Sequence, residues 1–207
     1  MQRRTKGHEE GWLLSYADLI TNLLLFFVVL LTAANLSKGK MQQIAKSISG
    51  AESPTSLESI RKELDAQISA RNLQELVRTA VKDDGLEVSL NSGIMFDSGQ
   101  AVLRAEHEEV LGSVLQLLAR YSKKYSFAVE GHTDTNPIVS AAFPSNWELS
   151  SARAIVVRQR LEGSGVPRDR IRVEGYADTR PLPEKELAGL SPADRLARHR
   201  RVVVRMY

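Results

Sequence analysis

One uninterrupted apolar segment near the N-terminus constrains this chain more than any other feature. From Trp12 to Ala34 the sequence runs for 23 residues with a single ionisable side chain, that of Asp18. As an α-helix the segment is about 35 Å long, enough to cross the roughly 30 Å hydrocarbon core of a bilayer. The sixteen residues after Asp18 make a short span by themselves, so a transmembrane helix over 12–34 has to include the carboxyl group.

Three interpretations of this segment compete. Thr32-Ala33-Ala34 loosely resembles a signal-peptide cleavage site, but the apolar region of a signal peptide is uncharged and only about 7–15 residues long. A plain membrane anchor with an incidental Asp is the second interpretation. The third is an anchor in which Asp18 carries an ion or a proton. The third is favoured, because an ionisable side chain within a membrane is costly and therefore marks a functional site.

Charges on either side of the segment give a weak indication of its orientation. The preceding tail at 1–11 contains Arg3, Arg4 and Lys6, whereas Lys38, Lys40 and Lys46 follow the segment. Because basic residues favour the cytoplasmic side, this pattern slightly favours a cytoplasmic N-terminus.

Two helical patterns follow the apolar segment. An amphipathic helix is predicted within 38–50, suited to lying on a membrane or on a partner. Its apolar face contains Met41, Ile44 and Ile48. A second apolar stripe runs from Leu57 to Val81, within a linker region at 51–84. It fits either a helix that pairs with a partner or second copy, or a helix that packs against the next domain.

From Gly85 onwards the pattern predicts strands that alternate with helices. The predicted elements are, in order, a strand at 86–90, helix at 101–121, strand at 126–131, helix at 149–161, and strands at 171–175 and 201–206. This order indicates an α/β domain, an α+β sandwich, over 85–207. About 120 residues are enough for such a domain to have its own core. The predicted fold is therefore this domain, preceded by a single transmembrane helix and a linker helix.

Composition excludes several classes of site. The 207 residues include no cysteine, which rules out disulfides and thiolate metal or redox sites. Their formal net charge is only +3, so a general nucleic-acid-binding surface is not expected. The four histidines lack metal-ligand spacing, and Gly131-His-Thr-Asp134 offers two ligands without a visible third. With no evident nucleophile–base pair either, we predict neither an enzyme, a metal site nor a resident cofactor.

A group of polar residues in the second half of the chain is the remaining candidate site. Asp134 follows a predicted strand in a turn-rich stretch, and Arg153 lies one turn into a predicted helix. The two charges could form a structural ion pair. Alternatively they could hold a ligand with both an amine and a carboxylate, Asp134 binding the ammonium and Arg153 the carboxylate. The residues alone leave both possibilities open.

Several motifs in a fixed order resemble those of OmpA-like peptidoglycan-binding domains, which have a βαβαβ-type fold. The matching stretches are Phe96-Asp-Ser-Gly-Gln-Ala-Val-Leu103, Gly131-His-Thr-Asp-Thr-Asn-Pro137, Asn146-Trp-Glu-Leu-Ser-Ser-Ala-Arg-Ala154, Gly165-Val-Pro167, Arg172-Val-Glu-Gly-Tyr-Ala-Asp178 and Arg200-Arg-Val202. The resemblance implies that Asp134 and Arg153 hold the diaminopimelate moiety of the wall peptide. Further peptidoglycan-binding positions implied by it are Thr133, Asn146, Leu149, Arg200 and Arg201. Where the family usually has Asn-Arg-Arg, this chain has His199-Arg200-Arg201.

The apolar segment carries a second, independent resemblance. Trp12-Leu-Leu-Ser-Tyr-Ala-Asp18, then Leu19-Ile-Thr21 and Phe26-Phe-Val28, is similar to the single span of flagellar stator B subunits of the MotB and PomB type. The resemblance implies that Asp18 binds the translocated ion, supported along the path by Tyr16 and Thr21. It also implies that Met41–Ser49, with Met41, Ile44 and Ile48, is the plug helix that blocks the channel.

Together the two resemblances imply an ion-conducting stator subunit that couples H⁺ or Na⁺ flow to torque while anchored to peptidoglycan. The implied partners are a MotA-type multi-span membrane subunit, a second copy in a homodimer and a diaminopimelate-containing wall peptide. The implied location is the inner membrane, crossed once, with the C-terminal domain in the periplasm. Two alternatives stay open: the B-type subunit of a non-flagellar ion-driven motor, such as Zorya-type anti-phage defence, and a non-conducting wall tether.

The sequence does not decide between H⁺ and Na⁺. By family resemblance Tyr16 favours protons, whereas Leu19 and Met41–Ser49 favour Na⁺.

Overall fold

A computed structural model describes residues 11–34, 55–138 and 142–207. The chain divides into two compact units, Met1–Ala51 and Glu52–Tyr207. The predicted amphipathic helix at 38–50 lies outside the described residues, and with it Met41, Ile44 and Ile48.

The described part of the first unit is one helix, α1, Gly11–Ala34. All its side chains from Trp12 to Leu30 are exposed, although the mean hydropathy of this stretch is 2.1. Within the described ranges it is the one helix long and apolar enough to span a bilayer. Because α1 buries none of these side chains against its own chain, a lipid environment or a partner has to cover them.

The second unit is built on a five-stranded mixed sheet. Its strands are β1 Val77–Lys82, β2 Gly85–Asn91, β3 Phe127–His132, β4 Ile171–Gly175 and β5 Arg201–Met206. They lie in the order β1-β2-β5-β3-β4, with β3 and β4 parallel and the other pairs antiparallel. The four strands predicted from residue 85 onwards are confirmed.

Within its described residues the second unit also contains six α-helices, of which three pack on one face of the sheet. They are α2 Leu57–Ala70, α3 Ser92–Met95, α4 Ala105–Ala119, α5 Asn146–Gly163, α6 Glu184–Leu187 and α7 Pro192–His199. Apolar side chains of α2, α4 and α5 form a single buried core with alternate residues of the strands. The helix α5 connects β3 to β4, as a crossover between parallel strands requires. The predicted α/β fold is therefore confirmed.

The start of the folded unit differs from the prediction of a linker at 51–84 and a domain at 85–207. Helix α2 ends at Ala70, and Asn72 has a left-handed backbone with φ 56°. Beyond this turn the chain forms the edge strand β1 and pairs with β2, so the apolar stripe does not continue as a helix to Val81. Ile60, Leu64 and Ile68 of α2 are buried in the core, which favours packing against the domain over a helix that pairs with a partner.

The first described residue of this unit is tied to the loop before β3. Tyr125 donates its hydroxyl proton to the carbonyl of Thr55 at 2.8 Å. Lys124 Nζ donates to the same carbonyl at 3.1 Å and to the Thr55 hydroxyl at 3.0 Å. The chain therefore enters the folded unit beside the segment that leads into β3, the inner strand of the parallel pair.

The sheet face opposite the core is polar. Because strand residues alternate between faces, Glu87, Glu130, His132, Arg201 and Arg205 point away from the core. Arg205 binds two carboxylates there, Glu87 at 2.9 Å and Glu130 at 2.7 Å, and also pairs with Asp84.

Candidate functional site

The candidate site lies where β3 ends and α5 begins, and a very close approach between these two elements positions it. A Cβ atom added at Gly131 would lie 2.0 Å from the backbone oxygen of Ser150, and one at Gly175 would lie 2.1 Å from Ser151 Oγ. At Gly131 only glycine permits this contact, because the neighbour is backbone and no other residue lacks a Cβ atom. The first turns of α5, and Arg153 on them, are therefore held directly against the ends of β3 and β4.

Asp134 follows β3 and is only 6% exposed. Arg200 Nη1 donates to its Oδ2 at 2.6 Å, and the backbone amide of Asn136 donates to its Oδ1 at 3.2 Å. Asn146, at the start of α5, holds the same loop by donating to the carbonyl of Asn136 at 2.9 Å. The carboxylate is therefore fixed by one turn amide and one guanidinium.

Arg153 is 3% exposed, and its guanidinium is held by three acceptors. Nε donates to the carbonyl of Gln100 at 2.8 Å, Nη1 to Ser92 Oγ at 2.9 Å and Nη2 to the carbonyl of Asp97 at 3.1 Å. Burial, with repulsion from Arg200, lowers the pKa of Arg153 to about 10, and Asp134 acts in the opposite direction. Arg153 is therefore still a cation at neutral pH, and Nη1 and Nη2 each keep one further N–H for a ligand.

The other predicted wall-binding positions fall into two groups. Thr133 is 5% exposed, next to Asp134, and its hydroxyl has no hydrogen-bond partner. Leu149 is 4% exposed and packs on the inner side of α5. Arg201 is separated from Arg200: it lies opposite His132 in the sheet and donates to the carbonyls of His199 and Arg180. The geometry thus joins Arg200, but not Arg201, to Asp134.

The acceptors that hold Arg153 are the part of this site that sequence reasoning missed. Asp97 and Gln100 lie within the Phe96–Leu103 stretch, which was recognised as a motif without a role for it. Ser92 is fully buried, and nothing in the sequence marked it. A lone serine four residues before that motif carries no pattern, so only the folded chain shows that it accepts from Arg153.

The residues predicted for ion transfer lie on α1. Asp18 and Thr21 are three positions apart and share a side of the helix, whereas Tyr16 lies on a different side. Thr21 Oγ1 donates to the carbonyls of Ala17 at 3.0 Å and Asp18 at 2.9 Å. The carboxylate of Asp18 has no side-chain partner in the described part of the chain, so its charge is available to whatever surrounds the helix.

The site around Asp134 combines one carboxylate with two guanidinium groups at the carboxyl end of a parallel strand pair. No group of three His, Cys, Asp or Glu side chains within the described residues is placed to hold a metal ion. Such a charge pattern suits a ligand that carries an ammonium group and a carboxylate on one carbon framework.

This fold and site define the class of protein to which the second unit belongs. Residues 95–191 match the family described as OmpA family. A solved structure described as the cell wall anchor of the T6SS from Pseudomonas aeruginosa is 30% identical, with a TM-score of 0.59. The match covers 70% of this chain and 96% of that one. The folded unit is therefore an OmpA-like domain.

The N-terminal residues match a second and more specific protein family. Residues 2–51 match the family described as membrane MotB of the proton-channel complex MotA/MotB. Motility protein B of Bacillus subtilis is 24% identical over an alignment of 236 positions, which includes 90% of each chain. A MotB-like protein from Desulfovibrio vulgaris shares the fold, with a TM-score of 0.63 and 21% identity over 72% of this chain and 90% of that one. The chain is thus a MotB-type protein with an OmpA-like domain.

Proposed function

We propose that this chain is the wall-anchored subunit of a bacterial, flagellar-type stator, in which Asp18 binds and releases H⁺ or Na⁺. The observation that supports the proposal most is the joint occurrence of two matches in one chain. A MotB-type segment places a carboxyl group inside an apolar helix, and an OmpA-like domain follows it. A wall tether that does not conduct needs no acidic residue in its membrane helix. An acidic side chain within the bilayer is energetically costly, so its presence indicates a function.

The proposed ion path requires a second kind of subunit. A single helix cannot enclose a channel, and α1 leaves its side chains exposed from Trp12 to Leu30. We therefore assign a MotA-type multi-span partner around a homodimer of this chain. Protonation or Na⁺ binding at Asp18 removes a charge from the interface and so changes the packing of the partner. Thr21 lies beside Asp18 on this path, and Tyr16 supports it from the neighbouring side.

The rest of the chain fits this assignment. The N-terminal tail is cytoplasmic in the proposal, α1 crosses the inner membrane, and the OmpA-like domain is periplasmic. Asp134, Arg153 and Arg200 hold the diaminopimelate part of the wall peptide, with Thr133 and Asn146 beside them. Met41–Ser49, which lies outside the described residues, is the plug that closes the path before docking.

The proposal is tested by replacing the carboxyl group alone. The chain with residues 41–49 deleted, so that the proposed plug cannot close the path, and its MotA-type partner are co-expressed and reconstituted in vesicles, and ion flux is measured with and without Na⁺. Every variant below, including the reference called wild type, carries this deletion. Asp18→Asn should reduce flux to the level of protein-free vesicles, because the amide cannot exchange a proton or pair with Na⁺. Ser15→Ala, one turn earlier in α1, is the matched control and should conduct. The buffer in which the wild type conducts identifies the ion.

Co-purification with the partner is measured for every variant, so that loss of flux is separated from loss of assembly. Continued flux through assembled Asp18→Asn would rule out Asp18 as the ion carrier.

A non-conducting wall tether is the second candidate function. The observation in its favour is the 30% identity to the T6SS wall anchor, which covers 96% of that chain. In this case neither the wild type nor Asp18→Asn would conduct when assembled with the partner, and binding to the wall would be unaffected.

A further inference from the structure

A second cavity lies along the polar face of the sheet and extends past the edge strand β1 to Asp65, Ile68 and Ser69 of α2. It has a volume of about 690 Å³. One wall is formed by the polar sides of β1, β2, β3 and β5, and the opposite wall by residues 180–183, Glu186 of α6 and Arg198 of α7. Its volume is in the range of small-ligand pockets, roughly 300–1,000 Å³. The cavity does not include Asp134 or Arg153, so it is separate from the site described above.

Most carboxylates around this cavity already have cationic partners. Asp65 is 3.1 Å from Arg61, and Glu87 is 2.6 Å from Lys82. Arg205 binds both Glu87 and Glu130. Of the carboxylates that line the cavity, Glu186 alone has no ion pair within the described residues.

Four arginines that line the cavity have no carboxylate partner within 4 Å in the described ranges: Arg78, Arg180, Arg198 and Arg201. Arg180 lies over the ring of Tyr176, and we call the other three the arginine cluster. All three also line a smaller adjoining cavity, so their side chains are neighbours. Arg201 is 8% exposed and is held only by two backbone carbonyls. The Nε of Arg198 is buried and has no hydrogen-bond partner. Burial and repulsion from Arg78 lower the pKa of Arg198, with only Glu186 acting against them.

His132 adds an unpaired buried side chain to the same cavity. Its ring is 2% exposed, and neither ring nitrogen has a hydrogen-bond partner. Nε2 lies 3.4 Å from the carboxylate of Glu130, and the ring stacks on Tyr176. Burial lowers the pKa of His132, more than Glu130 raises it, so the ring is neutral near pH 7 with one donor nitrogen. Unpaired buried polar atoms are rare in folded proteins and call for a partner.

We propose that this cavity binds a phosphate-bearing ligand, held by the guanidinium groups of Arg78, Arg198 and Arg201 with His132 as a further donor. Several guanidinium groups that line one cavity suit a phosphate group better than a carboxylate, because phosphate offers more acceptor oxygens and a larger charge. The ligand would offset the repulsion within the arginine cluster and supply the missing partner of Arg198 Nε. The proposal does not depend on ion conduction or on wall binding by Asp134.

The test is calorimetric titration of the full chain in detergent with inorganic pyrophosphate. The double variant Arg78→Gln/Arg198→Gln should bind at least about tenfold more weakly, because it loses two charged hydrogen-bond donors. Arg195→Gln is the matched control: Arg195 lies on α7, is paired with Glu184 at 2.8 Å and does not line the cavity. It should retain wild-type affinity within about twofold. If the double variant does not fold, Arg78→Gln alone serves the test, since its side chain is exposed.

The source of the phosphate is distinguished by two further probes, glycerol 3-phosphate and dihexanoyl phosphatidic acid. Equal affinity for both indicates a soluble phosphate ester, whereas tighter binding of the short-chain lipid indicates a lipid headgroup. Equal pyrophosphate affinity in wild type and double variant, or a wild-type dissociation constant above about 10 mM, would overturn the proposal.

Discussion

Asp134, Arg153 and Arg200 differ in how easily each side chain can exchange its hydrogen-bond partners for a ligand. Both oxygens of Asp134 are already engaged, one by the amide of Asn136 and one by Arg200. The side chain of Arg200 is 36% exposed, so it can move aside when an ammonium group approaches the carboxylate. Arg153 is held by three acceptors and cannot move without losing them. We infer that Arg153 fixes the position of the ligand while Arg200 is the exchangeable partner.

The prediction at the residue scale concerns this carboxylate. Asp134→Asn keeps the shape of the side chain but removes the charge that would pair with the ammonium group. Binding to purified wall sacculi, measured by co-sedimentation, should weaken by at least about tenfold, since hydrogen bonds to charged groups are the strong ones.

Asp169→Asn is the matched control, because Asp169 is exposed in the short 3₁₀ turn Arg168–Arg170 and should leave binding unchanged. Wild-type retention of Asp134→Asn on sacculi would contradict the proposed role of this residue.

Sequence motifs were sufficient to place Asp134 and Arg153 in one site, but not to describe its surroundings. Their proximity follows from a strand end and a helix start that the motifs mark directly. The divergence of Arg200 and Arg201 was not foreseen. Adjacent residues at a strand start point in different directions, and the direction is set by the register with β3. Ser92 contacts Arg153 across 61 positions of sequence, and no local pattern encodes such a contact.

For α2 and β1, the spacing of the apolar residues does not predict where the helix ends and the strand begins. Apolar residues at 73, 76, 77 and 81 are compatible with a helix, and β1 is a partly exposed edge strand without strict alternation. The residue that marks the end of α2 in the sequence is Asn72, since asparagine tolerates the left-handed backbone that ends a helix. The strands with regular alternation or long apolar runs, such as β2 and β5, were predicted within one residue of their bounds.

The prediction at the element scale tests whether α2 belongs to the folded unit. Leu64 is fully buried in the core, so Leu64→Ala should lower the free energy of unfolding by about 2–5 kcal/mol. Lys62→Ala, on the exposed side of the same helix, should change it by less than about 0.5 kcal/mol. Chemical denaturation followed by circular dichroism measures both. Equal stability of the two variants would mean that α2 packs elsewhere.

At the scale of the whole molecule, the average hydrophobicity and the net charge of the chain describe neither unit well. The chain combines an apolar helix that buries none of its side chains from Trp12 to Leu30 with a domain that has its own core. Its net charge of +3 likewise hides a local excess of arginine around the second cavity. The separation at Ala51 and Glu52 places the start of the folded unit more than thirty residues before the predicted domain boundary.

The prediction at this scale compares two truncations. Residues 52–207 should unfold cooperatively when expressed alone, because this segment includes the complete core cluster. Residues 85–207 lack α2 and β1, which exposes the apolar face of β2 and leaves its edge unpaired. This shorter chain should aggregate or lose its cooperative thermal transition, as measured by light scattering and circular dichroism. A cooperative transition of 85–207 at the same midpoint would show that α2 and β1 are dispensable.

The attachment of Thr55 to Lys124 and Tyr125 has a mechanical consequence. In the proposed function, tension that enters the folded unit at Thr55 has to reach the residues proposed to bind the wall. The hydrogen bonds at Thr55 pass that tension to the loop before β3, and β3 leads straight to Asp134. Part of the pulling force therefore runs lengthwise along β3, an inner strand that is paired with β5 on one side and β4 on the other. Force along this path loads the hydrogen bonds of β3 in shear.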